Sequence, residues 1–181
     1  MTALPTGLAA GTYTADPTHT SATFTVRHAG ISKVRGSLAV PTAVITVGED
    51  IESSSVSAEL DAASINTGNP DRDGHLKSAD FWDVEKNPVW TFTSTSVAAS
   101  GDDFAVSGDL TINGVTRPVV LNTEFVGIAT DPFGNSRAGY EAKTEISRKD
   151  FGLTYNAALE TGGVLISDTV KIAIDISAIK G

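Results

Sequence analysis

The feature that most constrains this chain is the alternation of apolar and polar residues in segment after segment. Side chains at every second position share one face of a β-strand, so this alternation is typical of strands with one buried face. The last segment is the most regular. Its apolar face consists of Val164, Ile166, Val170, Ile172, Ile174 and Ile176, and Asp168 interrupts it. The pattern predicts an all-β protein.

Seven further segments alternate in the same way, with turn-forming residues between them. They cover residues 22–28, 33–45, 55–61, 88–93, a strand ending near residue 112, 119–125 and 137–146. The strongest turn signal is Asn113-Gly114, because both residues tolerate a positive φ in a type I′ hairpin turn. No helices alternate with the strands, so a parallel sheet is not expected. About eight antiparallel strands predict an up-and-down β-barrel, although a two-sheet sandwich would show the same alternation.

Composition narrows the classes of partner. The chain has 181 residues, which suits one domain, and its net charge of −9 disfavours nucleic acid and polybasic docking to a membrane. It has no cysteine, which excludes thiol catalysis and thiolate metal sites. No apolar run approaches the ~20 residues of a membrane-spanning helix. Residues 1–10 lack the features of a signal peptide, so we expect a flexible tail on a cytoplasmic protein.

The segment Asp71–Phe92 departs from the alternation around it. It combines charged residues, a histidine, three aromatic residues before its final phenylalanine, and a proline. Asn69 is a good N-cap and Pro70 suits the first helical position, so we predict one short helix from Pro70 to about Ala79. No catalytic or phosphate-binding motif occurs in the segment. It is therefore interpreted as a cap or lining of the β structure, which favours an apolar ligand.

Four segments, in order along the chain, resemble motifs of the YceI-like polyisoprenoid-binding family. They are Asp16 with His19, Phe24 and His28; Asp71–Val84 with Asn87-Pro88; Gly108–Val119; and Ile146–Gly152. The resemblance implies an extended lipocalin-like eight-stranded barrel over residues 11–181, with a long isoprenoid or fatty-acid-like lipid in a central tunnel. It also implies a homodimer. Many members of the family are periplasmic, so the expected cytoplasmic location is a departure.

We assign candidate site residues from the alternation and from these motifs. The candidates for lining an apolar tunnel are aromatic: Phe24, Phe81, Trp82, Trp90, Phe92, Phe125, Tyr140, Phe151 and Tyr155. The candidates for a polar mouth are His19, His28, Arg72 and His75. Each apolar residue could instead simply fill the core. Arg72 with Asp71 and Asp73 could bind an anion at the helix N-terminus, or belong to a surface helix with capping acids.

Metal binding and catalysis have weak support in the sequence. No two histidines have the i, i+4 spacing of a zinc-binding helix. No G-x-S-x-G motif is present. A carboxylate at Asp168 needs a partner if it is buried, and Arg148 or Arg117 could supply one. We therefore expect no catalytic residue, no metal and no cofactor other than a bound lipid.

The expected function is a module that binds a long-chain polyisoprenoid or related lipid for carriage, storage or protection. Two alternatives stay open. One is an enzyme acting on an isoprenoid or quinone-like substrate, with His28 or His75 as its acid or base. The other is a stress-linked interaction protein whose cavity is incidental.

Overall fold

The computed structural model describes all 181 residues as nine β-strands and one α-helix. The strands are β1 (Gly11–Ala15), β2 (Ser21–His28), β3 (Ser32–Val47), β4 (Ser55–Asn66), β5 (Val89–Ser100), β6 (Asp103–Ile112), β7 (Val115–Thr130), β8 (Ser136–Ser147) and β9 (Thr169–Lys180). The helix α1 spans Pro70–Lys77, and two short 3₁₀ helices span Pro17–His19 and Arg148–Phe151.

Strands β2 to β9 form a closed antiparallel barrel. Each strand pairs with its neighbour in sequence, and β9 returns to pair with β2, where Phe24 lies opposite Ile172. This order confirms the predicted eight-stranded up-and-down barrel and excludes two separate sheets. The predicted hairpin turn is also confirmed, since Asn113 and Gly114 have φ values of 54° and 73° between β6 and β7.

The alternation did not reveal β1, a ninth and much shorter strand. It pairs with both β3 and β9, with Tyr13 opposite Ile45 on one side and Lys180 on the other. Between β1 and β2 the chain makes a 3₁₀ turn that begins at Pro17, capped by the Asp16 carboxylate, which accepts a bond from the Thr18 N–H. Strands β1 and β2 are thus one interrupted strand that completes the wall.

The two ends of the barrel are built differently. At one end lie the N-terminal segment, the C-terminus and the short connections 48–54, 101–102 and 131–135. We call this the closed end. The opposite end, which we call the mouth, carries the hairpin turns 29–31 and 113–114 and the long connections 67–88 and 148–168.

Helix α1 lies in the first long connection and forms for local reasons. The Asn69 side chain accepts hydrogen bonds from the N–H groups of Asp71 and Arg72, and Pro70 fixes φ at the start. The helix ends when the Ser78 N–H bonds to the carbonyl of His75. The predicted helix is confirmed and ends two residues before the expected Ala79.

The final apolar segment is shorter as a strand than its pattern indicates. Strand β9 begins at Thr169, so Val164 and Ile166 belong to the second long connection, and Val164 is 52% exposed.

Asp168 does not pair with Arg148 or Arg117. Its carboxylate instead accepts bonds from the Ser147 hydroxyl and the Lys149 N–H, with the Ser147 bond the largest cause of its lowered pKa.

The first ten residues pack on the closed end. The Thr2 N–H and hydroxyl donate to the Glu52 carboxylate, and these bonds lower the pKa of Glu52 to about 2. Leu4 and Leu8 pack against the core. The mobility of this tail stays a prediction.

Candidate ligand-binding cavity

The interior of the barrel on the mouth side is an apolar cavity. Its volume is about 420 Å³, inside the roughly 300–1,000 Å³ range of pockets that hold small molecules. It is lined by 36 residues, and 28 of them are hydrophobic. No residue of the closed-end connections is part of the lining. The inward faces of the strands therefore enclose space here, whereas they fill it at the closed end.

Two glycines help to keep this space open. The ring of Phe24 lies against Gly36 on the neighbouring strand, so close that a Cβ at Gly36 would overlap it. The ring of Phe92 lies against Gly108 in the same way, where a Cβ would come within 2.6 Å of the carbonyl oxygen of Thr93. Both rings can therefore lie along the wall instead of projecting across the cavity.

The segment after α1 covers one side of the cavity. Phe81 and Trp82 are 7% and 6% exposed and both line it. The Trp82 ring meets Phe24 and Trp90 edge-on, with ring centroids 5.8 Å and 5.2 Å apart. The indole N–H of Trp90 is buried and has no hydrogen-bond partner in the protein. The segment predicted as a cap or lining is thus part of the cavity wall.

The structure places most of the predicted tunnel residues in the lining. These are Phe24, Phe81, Trp82, Trp90, Phe92 and Tyr155. Whether they contact a ligand stays a prediction.

The other three predicted tunnel residues lie outside the lining of this cavity. Phe125 and Tyr140 pack on each other on adjacent strands, with ring centroids 5.6 Å apart. Tyr140 is 7% exposed, and this burial raises the pKa of its hydroxyl. Phe151 is 1% exposed and ends the 3₁₀ helix after β8. All three pack in the core. For Phe125 and Tyr140 the reason is that period-two alternation identifies the inward face of a strand but not the height along the barrel axis, whereas Phe151 lies outside the strands.

Three of the four predicted mouth residues do line the cavity, namely His28, Arg72 and His75. His19 does not. It lies in the 3₁₀ turn between β1 and β2, its side chain is 67% exposed, and its Nδ1 is 2.9 Å from the Asp16 carboxylate. The hydrogen bond with His19 is the largest cause of the lowered pKa of Asp16.

His75 and Arg72 are each fixed by a polar partner. Nε2 of His75 is 2.8 Å from Oδ2 of Asp80, and its ring meets Phe81 and Tyr155 edge-on at 5.1 Å and 5.0 Å. Nε of Arg72 donates to the Thr67 hydroxyl at 2.8 Å, and Nη2 donates to the Thr67 carbonyl at 2.9 Å. Neither arrangement was evident from spacing alone.

Arg148 is a lining residue that the site prediction omitted. It is 7% exposed, and its guanidinium donates to the carbonyl oxygens of Leu153, Tyr155, Ile166 and Ser167. No carboxylate lies within ion-pair distance of it. Burial lowers the pKa of Arg148. Its partners lie up to 19 residues away in the chain, so no local signal identified this role.

The prediction also undervalued aliphatic residues. Much of the lining consists of side chains such as Leu60, Leu110, Ile112, Val119, Leu121, Ile172, Ile174 and Ile176. Their alternation was visible in the sequence, and choosing aromatic residues alone missed them.

No group of three or more His, Cys, Asp or Glu side chains is arranged to hold a metal ion. None of the helices has the length and apolar character needed to cross a bilayer.

Comparison with known proteins agrees with this architecture. A family model described as the YceI-like domain matches residues 13–178. Protein YceI of Escherichia coli is 40% identical over 136 residues, which are 75% of this chain and 71% of that protein. The crystal structure of the Campylobacter jejuni YCEI protein has a TM-score of 0.69 and 28% identity, covering 86% of this chain and 90% of that one.

A more distant solved structure shows the same fold. It is a polyisoprenoid binding domain from Saccharophagus degradans, implicated in plant cell wall breakdown. It has 19% identity and a TM-score of 0.66, over 93% of this chain and 98% of that one. The match of the family model to most of the chain, together with the 40% identity to a curated relative, shows that this chain belongs to the YceI-like family.

Proposed function

We propose that this protein binds a long-chain lipid of the polyisoprenoid class inside its barrel. The single observation that carries the proposal is the cavity of about 420 Å³ with 28 hydrophobic residues among the 36 that line it. An apolar cavity of this kind has little to offer a polar metabolite, because buried polar groups need partners. The description of the Saccharophagus degradans domain as polyisoprenoid binding supports the same class of ligand.

The hydrophobic effect is sufficient to hold such a ligand. At ~0.8 kcal/mol per buried CH₂ group, a five-carbon isoprene unit contributes roughly 4 kcal/mol before costs are subtracted. Several units would nominally exceed known affinities, so the costs of ordering the chain and losing its freedom must offset much of this gain. Tail burial alone therefore gives useful affinity. We infer a role in carriage, storage or protection of the lipid, without chemical conversion.

The direct test is to identify what the protein carries. Protein purified under native conditions should yield a long-chain lipid on extraction, detected by mass spectrometry. Delipidated protein should then bind geranylgeraniol with a change in tryptophan fluorescence, because both tryptophans of the chain, Trp82 and Trp90, line the cavity.

A matched pair of variants locates the binding inside the barrel. Ala58→Phe adds a ring to the lining, whereas Ser57→Phe adds the same ring to the exposed face of the same strand. We expect Ala58→Phe to weaken geranylgeraniol binding at least tenfold and Ser57→Phe to leave it unchanged. Equal binding by the two variants, or no binding by the delipidated parent protein, would contradict the proposal.

A further inference from the structure

The tip of the β2–β3 hairpin carries the most exposed apolar side chain at the mouth. This residue, Ile31, is 85% exposed. The turn that holds it is tight, because Ala29 and Gly30 have φ values of 52° and 71° and the Ile31 N–H bonds back to the carbonyl of His28. Alanine rarely adopts a positive φ. The fold thus accepts a strained turn at the place where it exposes an isoleucine.

A second hairpin lies beside this tip. Residues 157–165 of the second long connection fold back on themselves, with a β-bridge between Ala158 and Val164. The carbonyl of Leu165 accepts a bond from the Ala29 N–H at 2.7 Å, which ties the two hairpins together. Val164 is 52% exposed. The two hairpins therefore present exposed aliphatic side chains at one corner of the mouth.

Both hairpins also form part of the cavity wall. Val26 and Val34 of the β2–β3 hairpin line the cavity, and so does Leu165 of the second hairpin. Ile31 and Val164 are close to them in the chain but lie outside the lining. Apolar surface therefore continues from the exposed tips to the interior along the same two hairpins.

The outer face of the β2–β3 hairpin is basic. Arg27 lies directly opposite Lys33, and Arg35 follows Lys33 by two residues on the same face. All three are exposed, and none of them forms an ion pair. Residues 17–48 contain no aspartate or glutamate, although the chain has 22 acidic residues. The local charge is thus opposite in sign to the net charge of −9.

The pair of Arg27 and Lys33 is unfavourable for the isolated barrel, because like charges directly opposite each other on a sheet repel. An anionic surface outside the protein would supply the missing counter-charge. The net negative charge of the chain does not prevent such a contact. Charges in water that are more than about 8 Å apart are largely screened at physiological ionic strength, so the side chains nearest the surface decide the interaction.

The acidic residues at the mouth belong to the two long connections and not to the β2–β3 hairpin. They are Asp71, Asp73, Asp80, Asp83, Glu85, Asp150, Glu160 and Asp168. Glu160 lies in the turn of the second hairpin and is exposed. An anionic surface would therefore meet the β2–β3 side of the mouth, and Glu160 would oppose the contact.

We propose that these two hairpins dock the protein on the surface of an anionic lipid bilayer. Ile31 and Val164 enter the boundary between headgroups and acyl chains, as the apolar side chains of interfacial segments do. Arg27, Lys33 and Arg35 lie against the anionic headgroups. The inference goes beyond the proposed function, because docking requires no ligand in the barrel. It gives that function a route, since a long-chain lipid avoids water and must pass directly between a membrane and the cavity.

The first test measures docking by flotation with lipid vesicles. Protein is mixed with vesicles of phosphatidylcholine and phosphatidylglycerol in equal amounts, and separately with vesicles of phosphatidylcholine alone. We expect the mixed vesicles to bind the parent protein more tightly. Lys33→Gln and Arg35→Gln should each weaken that binding about fivefold, because each removes a basic residue from the anionic surface. Glu160→Gln should strengthen it.

Lys143→Gln is the matched control for charge. It removes one positive charge from an exposed position in the middle of β8, away from both hairpins. Its binding to the mixed vesicles should equal that of the parent protein. Losses of equal size in Lys143→Gln, Lys33→Gln and Arg35→Gln would show a general effect of net charge and overturn the docking inference.

The second test locates the apolar contact. The chain has no cysteine, so a single introduced cysteine can carry a bimane label. Ile31→Cys places the label at the mouth, and Phe133→Cys places it in a turn of the closed end, where Phe133 is 88% exposed. We expect mixed vesicles to shift the emission of the first label to the blue and to leave the second unchanged. Ile31→Ser should weaken vesicle binding several-fold, and Phe133→Ser should not.

The contrary outcomes separate docking from ligand binding, because geranylgeraniol binding by the delipidated parent protein is measured in parallel. Equal binding to the two kinds of vesicle, or a blue shift only with Phe133→Cys, would overturn the docking inference. Protein that binds geranylgeraniol but no vesicle also overturns it and leaves the proposed function intact. Protein that binds mixed vesicles but no geranylgeraniol overturns the proposed function and leaves docking intact.

Discussion

The strands alternate apolar and polar residues in the same way at the closed end and at the mouth. The interior is filled by side chains at the closed end, whereas it encloses a cavity on the mouth side. At the closed end Tyr13 is 1% exposed and Ala138 and Ala178 are fully buried. On the mouth side the inward residues Ile172 and Ile174 stay only half-buried, because they face the cavity. Strand periodicity therefore determines which side chains point inward. Whether the interior is solid depends on the side chains that reach across the barrel axis.

The difference between the two interiors also follows from the segments that connect the strands at each end. Short turns and the N-terminal segment bring Leu4, Leu8 and Ile51 onto the closed end. The long connections at the mouth form a cover of α1 and coil that leaves space beneath it. We therefore expect the closed end to contribute more to stability than the mouth does, and we propose the cavity on the mouth side as the binding site.

The largest effect is expected from truncating the residue at the centre of the closed end. Tyr13→Ala should lower the free energy of unfolding by about 3–5 kcal/mol, as other buried aromatic truncations do. Tyr155→Ala at the mouth should cost less than about 1.5 kcal/mol, because Tyr155 is already 37% exposed. Urea denaturation of both variants measures the difference. Equal losses would show that the two ends contribute equally to stability.

A smaller effect is expected where glycine makes room for an aromatic ring. Gly36→Ala and Gly108→Ala should each cost about 1–3 kcal/mol, because the new Cβ displaces Phe24 or Phe92. The displaced ring enters the cavity, so geranylgeraniol binding should weaken as well. Gly74→Ala in α1 is the control. A Cβ there meets no atom within 4 Å, and alanine should stabilise the helix by about 0.5–1 kcal/mol. Calorimetry measures the change in stability of the three variants, and fluorescence titration measures the change in geranylgeraniol binding.

The cap of α1 should matter for the cover of the mouth. Asn69→Ala removes the acceptor for two backbone N–H groups and should cost about 1 kcal/mol. Asn122→Ala on the exposed face of β7 is the matched control and should be neutral. Hydrogen exchange should show faster exchange confined to residues 70–77 in the first variant. Uniformly faster exchange over the whole barrel would contradict a local role.

Acid should weaken the closed end through its ion-pair network. Arg137 donates to Asp16 and Asp131, each at 2.9 Å. Desolvation alone would raise the pKa of Asp131, but bonds from Asn135 and Arg137 hold it at about 2. A lowered pKa stabilises the fold above the ordinary value of 3.8, and this stability is lost as pH falls towards about 2.

The experiment is to measure the unfolding free energy of the parent protein and of Arg137→Met at several values between pH 5 and pH 2. The parent protein should lose stability more steeply over this window. Parallel pH profiles of the two proteins would show that the ion-pair network does not contribute to the loss of stability in acid.

Local signals predicted much of the fold. The alternation of apolar and polar residues predicted the barrel, Asn113-Gly114 predicted one hairpin, and Asn69-Pro70 predicted the start of α1. These three signals were readable because each depends on neighbouring residues only. Strand β1 was missed, since five residues are too few for a clear pattern. The oligomeric state and the compartment stay predictions.

The site was less predictable than the fold. Height along the barrel axis depends on strand tilt and register, so Phe125 and Tyr140 were assigned to the tunnel when they fill the closed end. Arg148 depends on carbonyls from a distant part of the chain. Such contacts arise only when the barrel closes.

Closure of the hydrogen-bond ladder has a consequence for the behaviour of the protein in a crowded cell. Every strand of the barrel has a partner on each side, and β1 joins both β3 and β9. Runs as rich in isoleucine as Val170–Ile176 are aggregation hazards when they lie at the edge of an open sheet. Here the closed ladder offers no unpaired strand edge to another chain, so the folded barrel lacks this route to fibril formation.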